Sequence, residues 1–341
     1  MLIQTKKQSD NNQKLTFRPP TMDDLTAIVD LLNTCAIDQT GCPDTNRKQV
    51  LSEWTAPAFD LSTSVRIVET ADRKVVGYLE VWDTDPIPVS NWVWGRVHPE
   101  FEGLGIGTEL MKWAEERLQL TLTRVAKDLR VIYAAGGLKT HAPTRKLLED
   151  MGMELNRYFW RMVIDLNGAT PAPVWPRDIK MKSLAEGVEL RDIYRAFDES
   201  FQDHWGYVKQ PEEEMLAEWN HWISSDEEFN PALWFVAMDG DEIAGVCLCR
   251  RREWEDPDMG WVNVLGVRRN WRKQGLGLAM LHFAFEKFRR MGKLRAGLGV
   301  DAKSLTGATR LYERAGMHVA REFYEYEKEL QAGRDISKQT L

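Results

Sequence analysis

The sequence predicts an α/β (α+β) protein made of two consecutive copies of one domain, each a mixed central sheet flanked by helices. Three observations lead there. Strand-like and helical patterns alternate along the 341 residues, as expected where helices cover a sheet. A glycine-bearing turn recurs, because Gly105 and Gly107 reappear 170 positions later as Gly275 and Gly277, and Val97 reappears as Val267. Farther along, LLEDMGM (Leu147 to Met153) matches LYERAGM (Leu311 to Met317). Self-similarity at a near-constant spacing marks a duplicated unit.

After a polar tail over 1–14, the first copy is expected at 15–166. LTFRP is a short strand, Thr21 and Asp24 offer an N-cap for a helix through Leu32, and a second helix covers Arg47 to Trp54. VRIVET and VVGYLEVWD alternate apolar and polar residues around an Asp-Arg turn and predict a hairpin. The strand NWVWGRV, the Gly105 turn, a helix to about Leu120, the strand VIYAA, a helix over Thr144 to Asp150 and the strand YFWRMVIDL complete the copy. A proline-rich linker without periodicity is expected at 167–178. The second copy, 179–330, repeats the same order, with Pro211 placed at the start of a helix and Asp239-Gly240-Asp241 closing a hairpin. The remainder, 331–341, reads as a loose end.

Composition limits the function classes. With 43% hydrophobic and 28% charged residues, the chain is an ordinary globular one. No apolar run reaches the roughly 20 residues that span a bilayer, and the N-terminal stretch lacks the apolar core of a secretory signal. A net charge of −7 argues against a nucleic-acid surface. Four scattered cysteines and six histidines without ligand-like spacing predict buried thiols, no metal and a reducing cytoplasm.

The stretch Trp261 to Met291 carries the chemistry. A run of strand-favouring residues ends at Leu265-Gly266-Val267, and Arg272-Lys273-Gln274-Gly275-Leu276-Gly277 leads into a helical pattern at Leu278, Leu281, Phe285 and Phe288. A strand feeding a helix through such a turn leaves backbone N–H groups unpaired beside the positive end of the helix dipole, a ready site for pyrophosphate. The dinucleotide pattern G-x-G-x-x-G and the phosphate loop ending in Gly-Lys-Ser/Thr are both missing.

The Arg-x-x-Gly-x-Gly turn, the VLGV strand end and LYERAGM together resemble the GNAT N-acetyltransferases. With the DHWG element at 203–206, the chain resembles the tandem GNAT group that includes mycothiol synthase. The resemblance covers nearly the whole chain and implies two consecutive GNAT (acyl-CoA N-acyltransferase) domains, each with a bulged fourth strand. It also implies acetyl-CoA as co-substrate, held by Leu265, Gly266, Val267, the turn from Arg272 to Gly277 (Lys273, Gln274, Gly275 and Leu276 included) and Ser304. A glycine at 266 suits the bulge.

Acetyl transfer to an amine also needs the leaving thiolate protonated and the amine freed of its proton. Tyr312 stands at the position of the family's proton-donating tyrosine. For the base, the central strand offers only Asn263 as a polar residue, which leaves Glu253, Glu255 or Asp258 in the preceding loop, Asp203 or His204 in DHWG, or water. Asp203, Trp205, Tyr207 and Asn263 are expected to shape the acceptor site. The first copy departs from the pattern twice, with Glu102 where a phosphate neighbour belongs and Leu148 at the tyrosine position. The first copy is therefore expected to be non-catalytic. The resulting expectation is an acetyl-CoA-dependent N-acetyltransferase acting on a small-molecule amine, as a monomer or homodimer without membrane or nucleic-acid partner. A protein or peptide N-terminus as acceptor, and a non-catalytic acyl-CoA-binding regulator, are the competing readings.

Overall fold

A computed structural model of the protein describes residues 14–168 and 171–339. Most of the expected polar tail, two linker positions and the last two residues lie outside the described residues. The first copy runs β1 (Thr16–Arg18), α1 (Leu25–Thr40), α2 (Arg47–Trp54), α3 (Leu61–Ser64), β2 (Val65–Glu69), β3 (Val75–Trp82), β4 (Ser90–Val97), α4 (Ile106–Thr121), β5 (Val131–Leu138), α5 (Ala142–Asp150) and β6 (Glu154–Asp165). The second runs β7 (Ile179–Ser183), α6 (Leu190–Phe201), α7 (Glu212–Ser225), β8 (Trp234–Asp239), β9 (Glu242–Arg250), β10 (Met259–Val267), α8 (Leu276–Arg290), β11 (Arg295–Asp301), α9 (Ala308–Arg314) and β12 (His318–Gln331). The hairpins and the order of elements match the expectation, except that the first copy adds the one-turn helix α3 before β2. The first helix continues past Leu32 to Thr40 and closes at Gly41, whose φ of 84° is the left-handed conformation of a helix end.

All twelve strands form one sheet, in the order β1-β2-β3-β4-β5-β12-β6-β11-β10-β9-β8-β7. The centre of this order is an exchange. β6 leaves its own copy and pairs with β11 of the second, from Arg295↔Asp165 to Asp301↔Phe159. β12 crosses the other way and pairs with β5 of the first, Phe323↔Leu138 through Gln331↔Val131. The two exchanged strands also pair with each other, antiparallel.

The cores follow the exchange. Met162 of β6 and Leu166 just beyond it pack in the apolar cluster of the second half with Phe285, Phe288, Leu298 and Tyr312. Tyr324 and Tyr326 of β12 pack in the first half's cluster with Leu110, Leu118 and Tyr133. Two-residue spacing puts Tyr324 and Tyr326 on one face of β12. The opposite faces are covered by α1 and α2 in the first half and by α6 in the second. Each half thus completes its core with a strand from the other.

Within the stretch expected as a loose end, residues 334–338 are pinned. Arg334 exchanges backbone hydrogen bonds with Asp128 and Arg130 of the first half, and Ile336 packs against a small cluster containing Val89, Val125 and Val131. Lys338 then exchanges backbone hydrogen bonds with Gly206 and Tyr207. The tail therefore runs from the first half to the DHWG element of the second.

Candidate active site

The turn before α8 has the expected anion-binding geometry. Lys273 and Gly275 take positive φ values of 59° and 91°, which turns successive N–H groups to one side. From Lys273 to Leu278 the backbone N–H groups find no acceptor among the described residues; the first helical bond is Ala279 N–H to the Gly275 carbonyl. Six convergent donors at a helix N-terminus fit a diphosphate. The copy in the first half is built alike, with Gly103 and Gly105 at φ 76° and 83°.

Beside this turn the sheet opens. β10 pairs with β11 only from Met259↔Arg295 to Val262↔Leu298. Beyond that point β10 follows β9 alone and β11 follows β6 alone. The bulge expected in the fourth strand falls at Asn263, where the β9–β10 register shifts between Val262 and Val264. Gly266, expected to mark the bulge, pairs in regular register with Val246. Its lack of a side chain serves packing instead, because a Cβ there would lie 2.8 Å from that of Ser200 on α6. In the first half β4 and β5 part in the same way after Val93↔Ala135, without a register shift between β3 and β4.

The opening leads into a cavity of about 370 Å³ that brings together Tyr312, His204, Trp205, Asn263, Leu265 and Ser304. Tyr312 is 7% exposed. Burial, with a smaller contribution from the Cys247 thiol, pushes its phenol well above the ordinary value, so it stays protonated at neutral pH. The His204 ring stacks 4.2 Å from Phe201. Burial first, then the Arg272 charge, lower its pKa below 6.5 and keep the imidazole neutral. Trp205 stacks on the Arg157 guanidinium at 3.9 Å and donates its indole N–H to Gln339 of the tail at 2.8 Å. Ser304 sits at the approach to α9 and accepts from Ala308 N–H at 3.4 Å.

One wall of the cavity was not legible as such in the sequence. Phe159, Trp160 and Arg161 line it from β6, a strand of the first copy, and Phe323 lines it from β12. Only the strand exchange brings them there.

Several residues expected at the site serve elsewhere. Asp203 is buried and accepts from Arg269 at 2.5 Å and Arg272 at 2.5 Å; those two partners, Arg269 foremost, hold its carboxyl well below the usual carboxylate range. Arg272, expected near a phosphate, is folded back onto Asp203, the Ser200 carbonyl and the Val267 carbonyl. The pair ties the DHWG element to the phosphate turn instead of contacting an acceptor. Asp203→Ala is expected to lower the free energy of unfolding by about 2 kcal/mol in urea titration, since Arg272 loses a largely buried counter-ion while the exposed Arg269 contributes little. An unchanged urea midpoint would show that the ion pair is not a structural tie.

Tyr207 turns from the cavity and donates to Asp198 at 2.7 Å. Glu253, expected in a solvated loop, is buried at 5% exposure. One of its oxygens lies 3.4 Å from Arg161 and the other accepts from Glu255 N–H. Glu255 in turn binds Arg161 and Arg321. Asp258 is exposed at the start of β10, the end away from the opening. Lys273 and Gln274 are exposed, and the Gln274 amide donates to the Asn270 carbonyl.

In the first half a cleft of about 420 Å³ occupies the equivalent place. Glu102 faces His141 at 3.3 Å across its mouth, and Leu148 is buried where the second half has Tyr312. A further groove of about 730 Å³ lies between the halves, walled by α2 on one side and by the segment after Trp222 on the other. Asn263 lines both this groove and the Tyr312 cavity.

A strand pair parted beside an amide-lined helix mouth, with a phenol and an imidazole at its throat, defines the class: an acyl-transfer enzyme of the acyl-CoA type. The model of the Acetyltransferase (GNAT) family matches residues 26–152 and 190–317, and the chain belongs to that family as a tandem of two domains. It is an N-acetyltransferase. Among its relatives, the mycothiol acetyltransferase of Streptomyces scabiei is 30% identical over 260 residues, which is 75% of each chain. That of Thermobispora bispora is 29% identical over 230 residues, 64% of this chain and 70% of the relative. Among solved structures, a GCN5-related N-acetyltransferase from Sphaerobacter thermophilus is 32% identical with a TM-score of 0.77, covering 96% of this chain and 98% of its own. A tandem GNAT protein from the clavulanic acid biosynthesis pathway shares the fold at 14% identity and a TM-score of 0.66.

Among the described residues, no helix is long and apolar enough to cross a membrane, and no group of three or more His, Cys, Asp and Glu side chains could hold a metal ion. The cysteines are free thiols; Cys247 and Cys249 are buried with their sulfurs 3.7 Å apart.

Proposed function

We propose that the second half transfers an acetyl group from acetyl-CoA directly to a primary amine of a small molecule. The observation that carries this reading is the convergence of Tyr312 and His204 on one cavity beside the parted strands, against Leu148 in the first half. Acetyl-CoA supplies the activated acyl group. The amides from Lys273 to Leu278 would hold its diphosphate, and the open edge of β10 beyond Val262 would receive its arm. His204, neutral and facing the cavity, takes the proton that the amine sheds on attack. Tyr312 gives its proton to the departing sulfur. Glu253, tied to Arg161 and to Glu255 N–H and outside the cavity lining, does not take that role. The groove between the halves, which meets the cavity at Asn263, is the approach for the amine.

Thiol release measured across a panel of small amines and short peptides tests the acceptor class; release with peptides alone would replace it. The pH profile tests the base. A neutral imidazole is required, so kcat/KM is expected to fall on the acid side with a midpoint below 6.5, following the lowered His204 pKa. In His204→Gln that acid limb should disappear along with most of the rate. Persistence of the same limb in the variant rules His204 out.

A further inference from the structure

Arg250, the last residue of β9, lines the groove between the halves and has no salt bridge among the described residues. Its Nε is buried without a hydrogen-bond partner. The guanidinium lies 5.5 Å from the Trp254 ring, a contact that positions a cation without neutralising it. Glu253 and Asp226 act on it only at longer range, and Arg161 opposes them. Both acids have other tasks: Glu253 faces Arg161 and Glu255 N–H, and Asp226 accepts from Glu228 N–H.

The rest of the groove does not balance this charge. Lys48 is paired with Glu227, and Arg252 with Glu228. Arg47 and Asp226, one of each sign, cancel. Burial, and after it the neighbouring Glu80, push the Glu53 carboxyl up to about 8, towards its uncharged form. None of the acidic side chains lining the groove is paired with Arg250. A desolvated guanidinium left unpaired is costly, and a planar carboxylate satisfies two of its N–H groups at once.

We propose that Arg250 is a carboxylate-binding subsite of the acceptor groove, so that the acceptor is an amino acid or a similar small amine bearing a carboxylate. This deepens the acetyl-transfer reading and rests on it. Arg250 is the register partner of Trp261, and Asn263 stands two residues farther along β10 at the throat of the Tyr312 cavity. Two strand residues span on the order of 7 Å. An acceptor anchored by its carboxylate at Arg250 therefore presents its amine towards the throat.

The test uses the full chain with glycine, β-alanine, 4-aminobutyrate and L-serine, each beside its carboxamide. Thiol release reads kcat and KM, and isothermal titration reads binding in the presence of CoA. At least one acid is expected to exceed its amide by roughly ten- to hundredfold in kcat/KM, with the difference in KM. Arg250→Met should bring that ratio close to one, and Arg250→Lys should restore part of it. Thermal melts confirm that both variants are folded. If acids and amides are acetylated alike, or the preference survives in Arg250→Met, the subsite falls and the acetyl-transfer reading stands. If acids bind, lose binding in Arg250→Met and yet release no thiol, the subsite stands and that reading falls. Absence of binding by every acid overturns the subsite.

Discussion

Tyr312→Phe is expected to lower kcat by roughly 10²- to 10³-fold while leaving KM for acetyl-CoA nearly unchanged. The substitution removes one oxygen and keeps the ring. Tyr312 is buried against the core of the second half, and a phenylalanine fills the same volume, so stability should hardly move. What is lost is the proton donor: positioned general acids contribute about 10²- to 10⁴-fold, and a thiolate is a moderate leaving group that does not need the upper end of that range. Burial keeps the phenol protonated across the working pH range, so the loss should be uniform between pH 6 and 9. Steady-state kinetics of thiol release measures it. A kcat within twofold of the parent enzyme would make Tyr312 a packing residue beside the cavity and move the chemistry elsewhere.

Met162→Ala should produce the largest loss of stability, about 3 kcal/mol by denaturant unfolding. The side chain is fully buried, and truncating a core methionine costs roughly 2–5 kcal/mol through lost transfer energy plus the cavity left behind. Met162 belongs to the first copy by sequence, yet it lies opposite Leu298 of β11 and Val319 of β12 and packs in the second half's core. Thermal inactivation of acetyl transfer should therefore shift to lower temperature, although Met162 lies about 150 positions before Tyr312. A variant whose denaturation midpoint and inactivation temperature both match the parent would mean that β6 does not complete the half that holds Tyr312.

These two substitutions mark where the sequence could be read and where it could not. The duplication was legible because Gly105 and Gly275 are needed at the same left-handed position, and a positive φ at a helix entry tolerates few other residues. The turn before α8 was legible for the same reason, since its shape lies in the backbone and leaves a glycine pattern. Tyr312 was found through the resemblance of LYERAGM to the family's block with its proton-donating tyrosine; the matching LLEDMGM of the first copy has Leu148 there. The strand exchange left no such trace. YFWRMVIDL is rich in strand-favouring residues on both faces, and its pattern suits the edge of β5 as well as the edge of β11. The choice between them is made by tertiary packing.

Asp203 misled for a related reason. A carboxylate next to a histidine in a loop reads as site chemistry until the partners are known, and Arg269 and Arg272 lie more than sixty residues away. Gly266 was assigned to a bulge because a glycine in a strand fits either a bulge or a close approach. The structure puts the bulge at Asn263 and the close approach, to Ser200, at Gly266.

The exchange of β6 and β12 also bears on how the enzyme behaves when scarce. A catalytic cavity with part of its wall on another polypeptide empties of that wall whenever its subunits drift apart. Here Phe159, Trp160 and Arg161 are borrowed from the same chain, and linked segments meet at an effective concentration fixed by their tether. However few copies a sample or a cell contains, dilution cannot strip this cavity of its wall.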